Sequence, residues 1–110
     1  RDARDTMRAW LVQVMARDHQ GRAQGISAAA LASKVGISER MLRHLISDAR
    51  EDGVAIVGVP ESGYFIAQNG EELEQCCNFL RSRAMHSLVI EARLRKVALP
   101  ELLGQLKVAT

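Results

Sequence analysis

Two serines and one glycine place the tightest constraint on how this chain folds. Ser27 stands before the run Ala28–Val35, Gly36 follows it, and Ser38 stands before a second run from Glu39 to about Asp52. A serine ahead of a helical stretch offers its side-chain oxygen to the first-turn N–H groups. A glycine behind one takes the left-handed backbone that ends it. With only Gly36-Ile37-Ser38 between them, the two helices must turn sharply on each other, and Ile37 is the apolar plug of that turn. Leu31 and Val35 face inward from the first helix, and Met41, Leu42, Leu45, Ile46 and Ala49 make the buried stripe of the second. Arg40, Arg43, His44, Ser47 and Arg50 fall largely on its other faces, and Gly53 stops it.

The flanking segments extend this pattern. From Thr6 to Asp18, Met7, Trp10, Leu11, Val14 and Met15 recur at helical spacing, with Asp5 or Thr6 as the cap. Trp10 is expected in the core between this helix and a later hairpin. His19 to Gly25 is polar, carries two glycines and reads as a loop. After Gly53, Val54-Ala55-Ile56-Val57 has the β-branched density of a strand, Gly58–Gly63 reads as a turn, and Tyr64–Ala67 as the returning strand. Tyr64 and Phe65 are expected in the core at the base of that hairpin. Helix, helix, turn, helix and hairpin in this order describe a winged helix over residues 1–69.

A different kind of segment follows. Glu71 through about Ala98 contains neither Gly nor Pro, and Leu73, Cys77, Leu80, Ala84 and Leu88 recur in a 4-3-4-4 spacing. Acidic residues open this helix and basic ones close it, as the helix dipole favours. Leu99-Pro100 is expected to restart the chain ahead of a short amphipathic tail with Leu102, Leu103 and Leu106. The extension, 70–110, is too short to bury a core of its own. It is read as packing on the first domain or, by slight preference, on a second copy. The fold class expected is therefore mostly α with a small β-hairpin wing, followed by a long C-terminal helical extension.

Composition removes several function classes. The chain has 15 Lys and Arg against 13 Asp and Glu, a net charge of +2, which is no basic nucleic-acid coat. Trp10, Tyr64, Phe65 and Phe79 are the whole aromatic complement, too few for a single-strand stacking platform. No apolar run is long enough for a membrane span. The opening Arg1-Asp2-Ala3 lacks both Met and a signal-peptide core, and reads as an inner piece of a longer chain. Cys76 and Cys77 are adjacent, so they cannot staple distant segments; they read as small buried apolar residues in a reducing cytoplasm. His19, His44 and His86 are scattered singly without ligand spacing. No metal, no cofactor and no enzymatic activity are expected, since neither a nucleophile–base pair nor a phosphate loop is visible.

The stretch Ser27-x-x-x-Leu31-Ala32-x-x-Val35-Gly36-Ile37-Ser38, continuing through Leu42, Leu45 and Ile46 to Arg50-Glu51-Asp52-Gly53-Val54-x-Ile56 and Val59-Pro60-x-x-Gly63-Tyr64, resembles the winged helix-turn-helix domain at the N-terminus of biotin repressors and related bacterial and phage regulators. The resemblance runs without a gap over about forty residues and stops before Asn69. It implies duplex DNA as the partner. The ligase domain of biotin repressors has no counterpart here, so that activity does not carry over.

A recognition helix needs an apolar inner face and hydrogen-bond donors near its N-terminus. Ser38, Glu39, Arg40, Arg43, His44 and Ser47 supply the outer face, with Arg40 or Arg43 suited to a guanine edge and Ser38 to a phosphate. Glu39 fits less well, since it repels phosphate unless it reads a cytosine amine. Lys34 and Arg22 are further phosphate candidates. The wing residues Glu61, Ser62 and Gly63 lack the basic side chain that a wing brings to the minor groove. The expected function is sequence-specific DNA binding by a dimeric transcription regulator. The alternatives are a phage replication or recombination accessory protein and a winged-helix protein adaptor, the latter favoured by the weak net charge and the acidic wing. The near-neutral total resolves into faces of opposite sign. Glu61, Glu71, Glu72 and Glu74 gather near the wing, and Arg81, Arg83, Arg93, Arg95 and Lys96 lie along the extension with only Glu91 against them.

Overall fold

The computed structural model describes residues 2–109, with side chains described for residues 2–96. The expected restart at Leu99-Pro100 does not occur, since the last helix runs unbroken from Gly70 to Ala109 with Pro100 inside it; the side chains of the tail leucines fall outside those described. Helix α1 spans Ala3–Asp18, a single 3-10 turn covers Arg22–Gln24, α2 spans Ala28–Val35 and α3 Glu39–Glu51. Strands β1 (Ile56–Val59) and β2 (Gly63–Ile66) follow, and then α4 (Gly70–Ala109). The chain divides into two units, Arg1–Cys77 and Asn78–Thr110.

The two serine caps form as expected. Ser27 Oγ accepts from the Ala30 N–H at 3.2 Å and Ser38 Oγ from the Met41 N–H at 3.0 Å. Gly36 closes α2 with φ 86°, in the left-handed region. The first helix starts earlier than expected, because Asp2 and neither Asp5 nor Thr6 is its cap: the Asp2 carboxylate accepts from the Asp5 N–H.

Leu11, Val14 and Met15 of α1, Leu31 and Ala32 of α2, Leu42, Leu45, Ile46 and Ala49 of α3, and Ile56 of β1 form one buried core. Trp10 is corrected. It stands 44% exposed, because the inward stripe of α1 is centred on Leu11 and Met15 and leaves Trp10 at its edge. A smaller cluster of Val57, Phe65 and Cys76 lies on the other side of the hairpin. Phe65 is buried as expected, whereas Tyr64 is half-buried. The two cysteines separate: Cys76 is buried and Cys77 exposed, since adjacent helix positions point about 100° apart.

The strands are shifted from the expected positions. Val54 N–H still bonds back to the Ala49 carbonyl, so the strand begins only at Ile56. Gly58 belongs to β1 opposite Tyr64, where a Cβ would press into the Tyr64 ring. Val59 pairs with Gly63, which leaves Pro60, Glu61 and Ser62 as a three-residue loop ended by Gly63 at φ 76°.

The expected loop 19–25 is tied down. Ile26 and Tyr64 exchange backbone hydrogen bonds at 2.9 and 2.7 Å, Gly21 N–H donates to the Ile66 carbonyl at 2.9 Å, and Ile66 N–H to the His19 carbonyl at 2.8 Å. This segment therefore pairs with the other edge of β2 through two isolated bridges, Gln20 to Ile66 and Ile26 to Tyr64.

Gly63 and Gly36 share a positive φ but differ in surroundings. A Cβ at Gly63 would overlap the Ile26 carbonyl, while one at Gly36 meets nothing within 4 Å. Gly36→Ala is expected to cost about 1 kcal/mol of backbone strain. Gly63→Ala is expected to cost roughly 3 kcal/mol or more, as displacement of a paired strand is added to that strain. Urea unfolding of both variants measures the gap, and equal midpoints would contradict it.

Candidate nucleic-acid interface

The outer face of α3 is built by its own periodicity. With Leu42, Leu45, Ile46 and Ala49 buried, Arg40, Arg43, His44 and Ser47 fall on the opposite side, and all four are exposed. Glu39 is exposed at the first turn, and Glu51, which the sequence reading did not single out, continues the same stripe at the last. Ser38 is spent on its cap, but its hydroxyl hydrogen and the first-turn amides of Glu39 and Arg40 have no helical acceptor. Together with the positive end of the helix dipole, they suit an anionic oxygen. Arg4, Ser38, Arg40, Met41 and His44 line an open cavity of about 310 Å³ at this end.

The acidic flank of α3 is neutralised from α1. Arg4 grips Asp48 with two hydrogen bonds, Nε to Oδ2 at 2.7 Å and Nη2 to Oδ1 at 3.0 Å. Arg8 Nε lies 3.4 Å from Asp52 Oδ2. The hydrogen bond from Arg4, then its charge, holds the Asp48 carboxyl below the ordinary carboxylate range. Among the described residues, Arg40, Arg43 and His44 have no intramolecular ion pair, so their donors remain available.

Other basic candidates are engaged elsewhere. Lys34 Nζ donates to Asp18 Oδ2 at 3.1 Å and lies 3.0 Å from His19 Nε2. Since Nδ1 of His19 is 2.8 Å from the Gln24 carbonyl, which only accepts, the proton belongs on Nδ1 and Nε2 accepts from Lys34. His19 is buried and joins the ends of α1 and α2 to the 3-10 turn. The hydrogen bonds from Arg17 and Lys34 lower the Asp18 pKa. Arg50 Nε donates to the Ile56 carbonyl at 2.8 Å, which clamps the end of α3 to β1. The Arg22 guanidinium is hydrogen-bonded to Gln75 Oε1.

The wing tip carries Glu61 exposed, with Ser62 and Gly63 half-buried, and it brings no cation of its own. Behind it, Glu72 is 6% exposed. Its carboxylate accepts from the backbone N–H groups of Gln68 at 2.9 Å and Arg22 at 3.0 Å. Asn69 Oδ1 in turn accepts from the Glu72 N–H at 2.9 Å. The sequence points to Glu72 only as one of the acidic residues at the start of the long helix and near the wing. The Asn69-x-x-Glu72 spacing of a capping box was the available signal.

Residues 19–65 match the model of a family described as an HTH domain. That match agrees with the winged helix-turn-helix arrangement already in place, three helices with a tight turn at Gly36 followed by a two-stranded wing. The match covers less than half of the chain. No curated protein and no solved structure gives a significant match. Among the described residues, no helix is long and apolar enough to cross a membrane, and no group of His, Cys, Asp or Glu is arranged to hold a metal ion.

The backbone hydrogen bonds from Gln68, then Arg22, hold the Glu72 pKa below its ordinary value. A carboxyl depressed by folding contributes stability above its unfolded pKa, and that contribution is lost as pH falls through the folded one. Glu72→Gln is expected to be less stable than the native chain at pH 7 and to show a flatter loss of stability between roughly pH 5 and 3. Urea midpoints measured across that range test this, and parallel curves would remove Glu72 from the acid transition.

Proposed function

We propose that this chain binds a specific duplex DNA site as a transcription regulator of bacterial or phage type, acting in the cytoplasm as a dimer joined through its C-terminal helices. The observation that carries the reading is the exposed Arg40-Arg43-His44-Ser47 stripe, with the acidic flank beside it closed off by Arg4 and Arg8. In this reading α3 lies in the major groove. Arg40 and Arg43 read guanine edges through paired hydrogen bonds, while His44 and Ser47 border the same base pairs. Ser38 and the first-turn amides fix the helix on a phosphate, and Glu39 sits where a cytosine amine can reach it.

Lys34 contributes mainly by holding Asp18 and His19 in place. The wing, with Glu61 at its tip, stays off the minor groove. That absence of wing cations favours a protein-adaptor role as the second reading.

Salt separates the two readings. Each phosphate neutralised steepens the loss of DNA affinity with salt, by roughly 0.9 in log–log slope. Fluorescence anisotropy on random duplex DNA is expected to show measurable low-salt binding that falls steeply as salt rises. No binding even in low salt would leave the adaptor role.

Selection from a random duplex library then supplies the preferred site. On that site Arg40→Ala and Arg43→Ala are each expected to lose roughly 1–3 kcal/mol, with a much smaller loss on random DNA. An equal, small loss on both would mean that neither side chain reads a base.

A further inference from the structure

Every residue from 78 to 96 is exposed, although this part of α4 is rich in large apolar side chains. Leu73, Cys77, Leu80, Ala84 and Leu88 make one stripe along α4, and its leucines are 47%, 39% and 55% exposed in chain order. Phe79, Met85, Val89 and Ile90, all between 41% and 52% exposed, lie about 100–140° around the helix from this stripe. A helix apolar around most of its circumference is ordinarily covered, and the charges along α4 say by what. Glu71 and Glu74 stand exposed in its first turns, and Arg93, Arg95 and Lys96 stand exposed about five to seven turns later. Glu91 pairs with Arg95 within the helix at 3.0 Å, and the far end remains strongly basic.

A second copy laid parallel would set acid on acid and base on base. A second copy laid antiparallel sets the acidic start of each helix against the basic end of the other. The register that aligns these charges puts Ala84 at the middle of the pairing. Leu80 of each copy then meets Leu88 of the other, and the small Ala84 side chains let the helices approach closely. We propose that two copies of this chain pair antiparallel along α4, with Ala84 at the two-fold axis and the acidic and basic ends in contact. This rests on the reading that copies pair through the C-terminal helix, and it adds orientation, register and the charge pairs that set them.

Oxidative cross-linking of the full chain tests the proposal without DNA. In the antiparallel register Cys77 lies far from its own counterpart and close to position 91 of the other copy. The native chain is therefore expected to form no Cys77–Cys77 disulfide. Glu91→Cys is expected to form a 77–91 disulfide dimer, and Ala84→Cys in a Cys77→Ser background a symmetric 84–84 one. Glu71→Gln combined with Glu74→Gln removes four exposed ion pairs from the two-fold assembly, and is expected to weaken self-association about tenfold in sedimentation equilibrium.

Rapid Cys77–Cys77 cross-linking without an 84–84 product would overturn the orientation and leave a parallel dimer. A monomer at every concentration would overturn the pairing itself. DNA binding of the same variants, read separately by anisotropy, reports on the helix-turn-helix and not on the pairing.

Discussion

Strand β2 is hydrogen-bonded along both edges, and the rest of the first unit is organised around it. On one edge it pairs with β1 from Ile56↔Ile66 to Val59↔Gly63. On the other, Tyr64 and Ile66 bond to Ile26, Gly21 and His19. An isolated two-stranded hairpin is marginal in water, so the segment between α1 and α2 supplies what the wing lacks. The same ladder fixes the end of α1 and the start of α2 relative to the wing, and the turn at Gly36 then sets α3. The two segments approach most closely at Gly63 and Gly25, where a side chain would overlap the Ile26 and Ser62 carbonyls respectively.

Charge is arranged so that only one part of α3 is offered outward. Asp48 and Asp52 lie one and two turns beyond Arg43 and His44 and would oppose an approaching phosphate if left bare. Arg4 and Arg8 come from α1 to cover them. Exposed ion pairs contribute little stability, so the larger consequence of these two is electrostatic: they neutralise Asp48 and Asp52 beside the stripe, on which Arg40 and Arg43 stand with Glu39 and Glu51 at its ends. The opposite end of the unit uses charge for construction. Buried Glu72 gathers two backbone N–H groups and joins the start of α4 to the 3-10 turn and to the segment after β2.

The helix-turn-helix was legible because its signals are local. Ser27, Gly36 and Ser38 each act on backbone groups within four residues of themselves, and the apolar spacing of Leu42, Leu45, Ile46 and Ala49 reports which face is inside. The exposed positions of Arg40, Arg43, His44 and Ser47 follow from that spacing by elimination. The edge of a stripe is harder to judge, which is why Trp10 reads as a core residue and yet stands outside the core. Strand ends were shifted because pairing sets them: Gly58 reads as a turn residue until Tyr64 is placed opposite it.

The sequence by itself determined three helices, a tight turn, a hairpin, an exposed polar face on α3 and a long helix with acid at its start and base towards its end. Each depends on spacing and on side chain–backbone chemistry over a few residues. Tertiary structure alone decided which charged groups stay available. Lys34, Arg22 and Arg50 look like free cations in the sequence, yet they are bound to Asp18 and His19, to Gln75 and to the Ile56 carbonyl. Lys34 and Arg22 find partners 15 to 53 residues away, and Arg50 finds its own across the turn from α3 into β1. Local periodicity carries no information about which side chains the folded backbone brings within hydrogen-bonding distance.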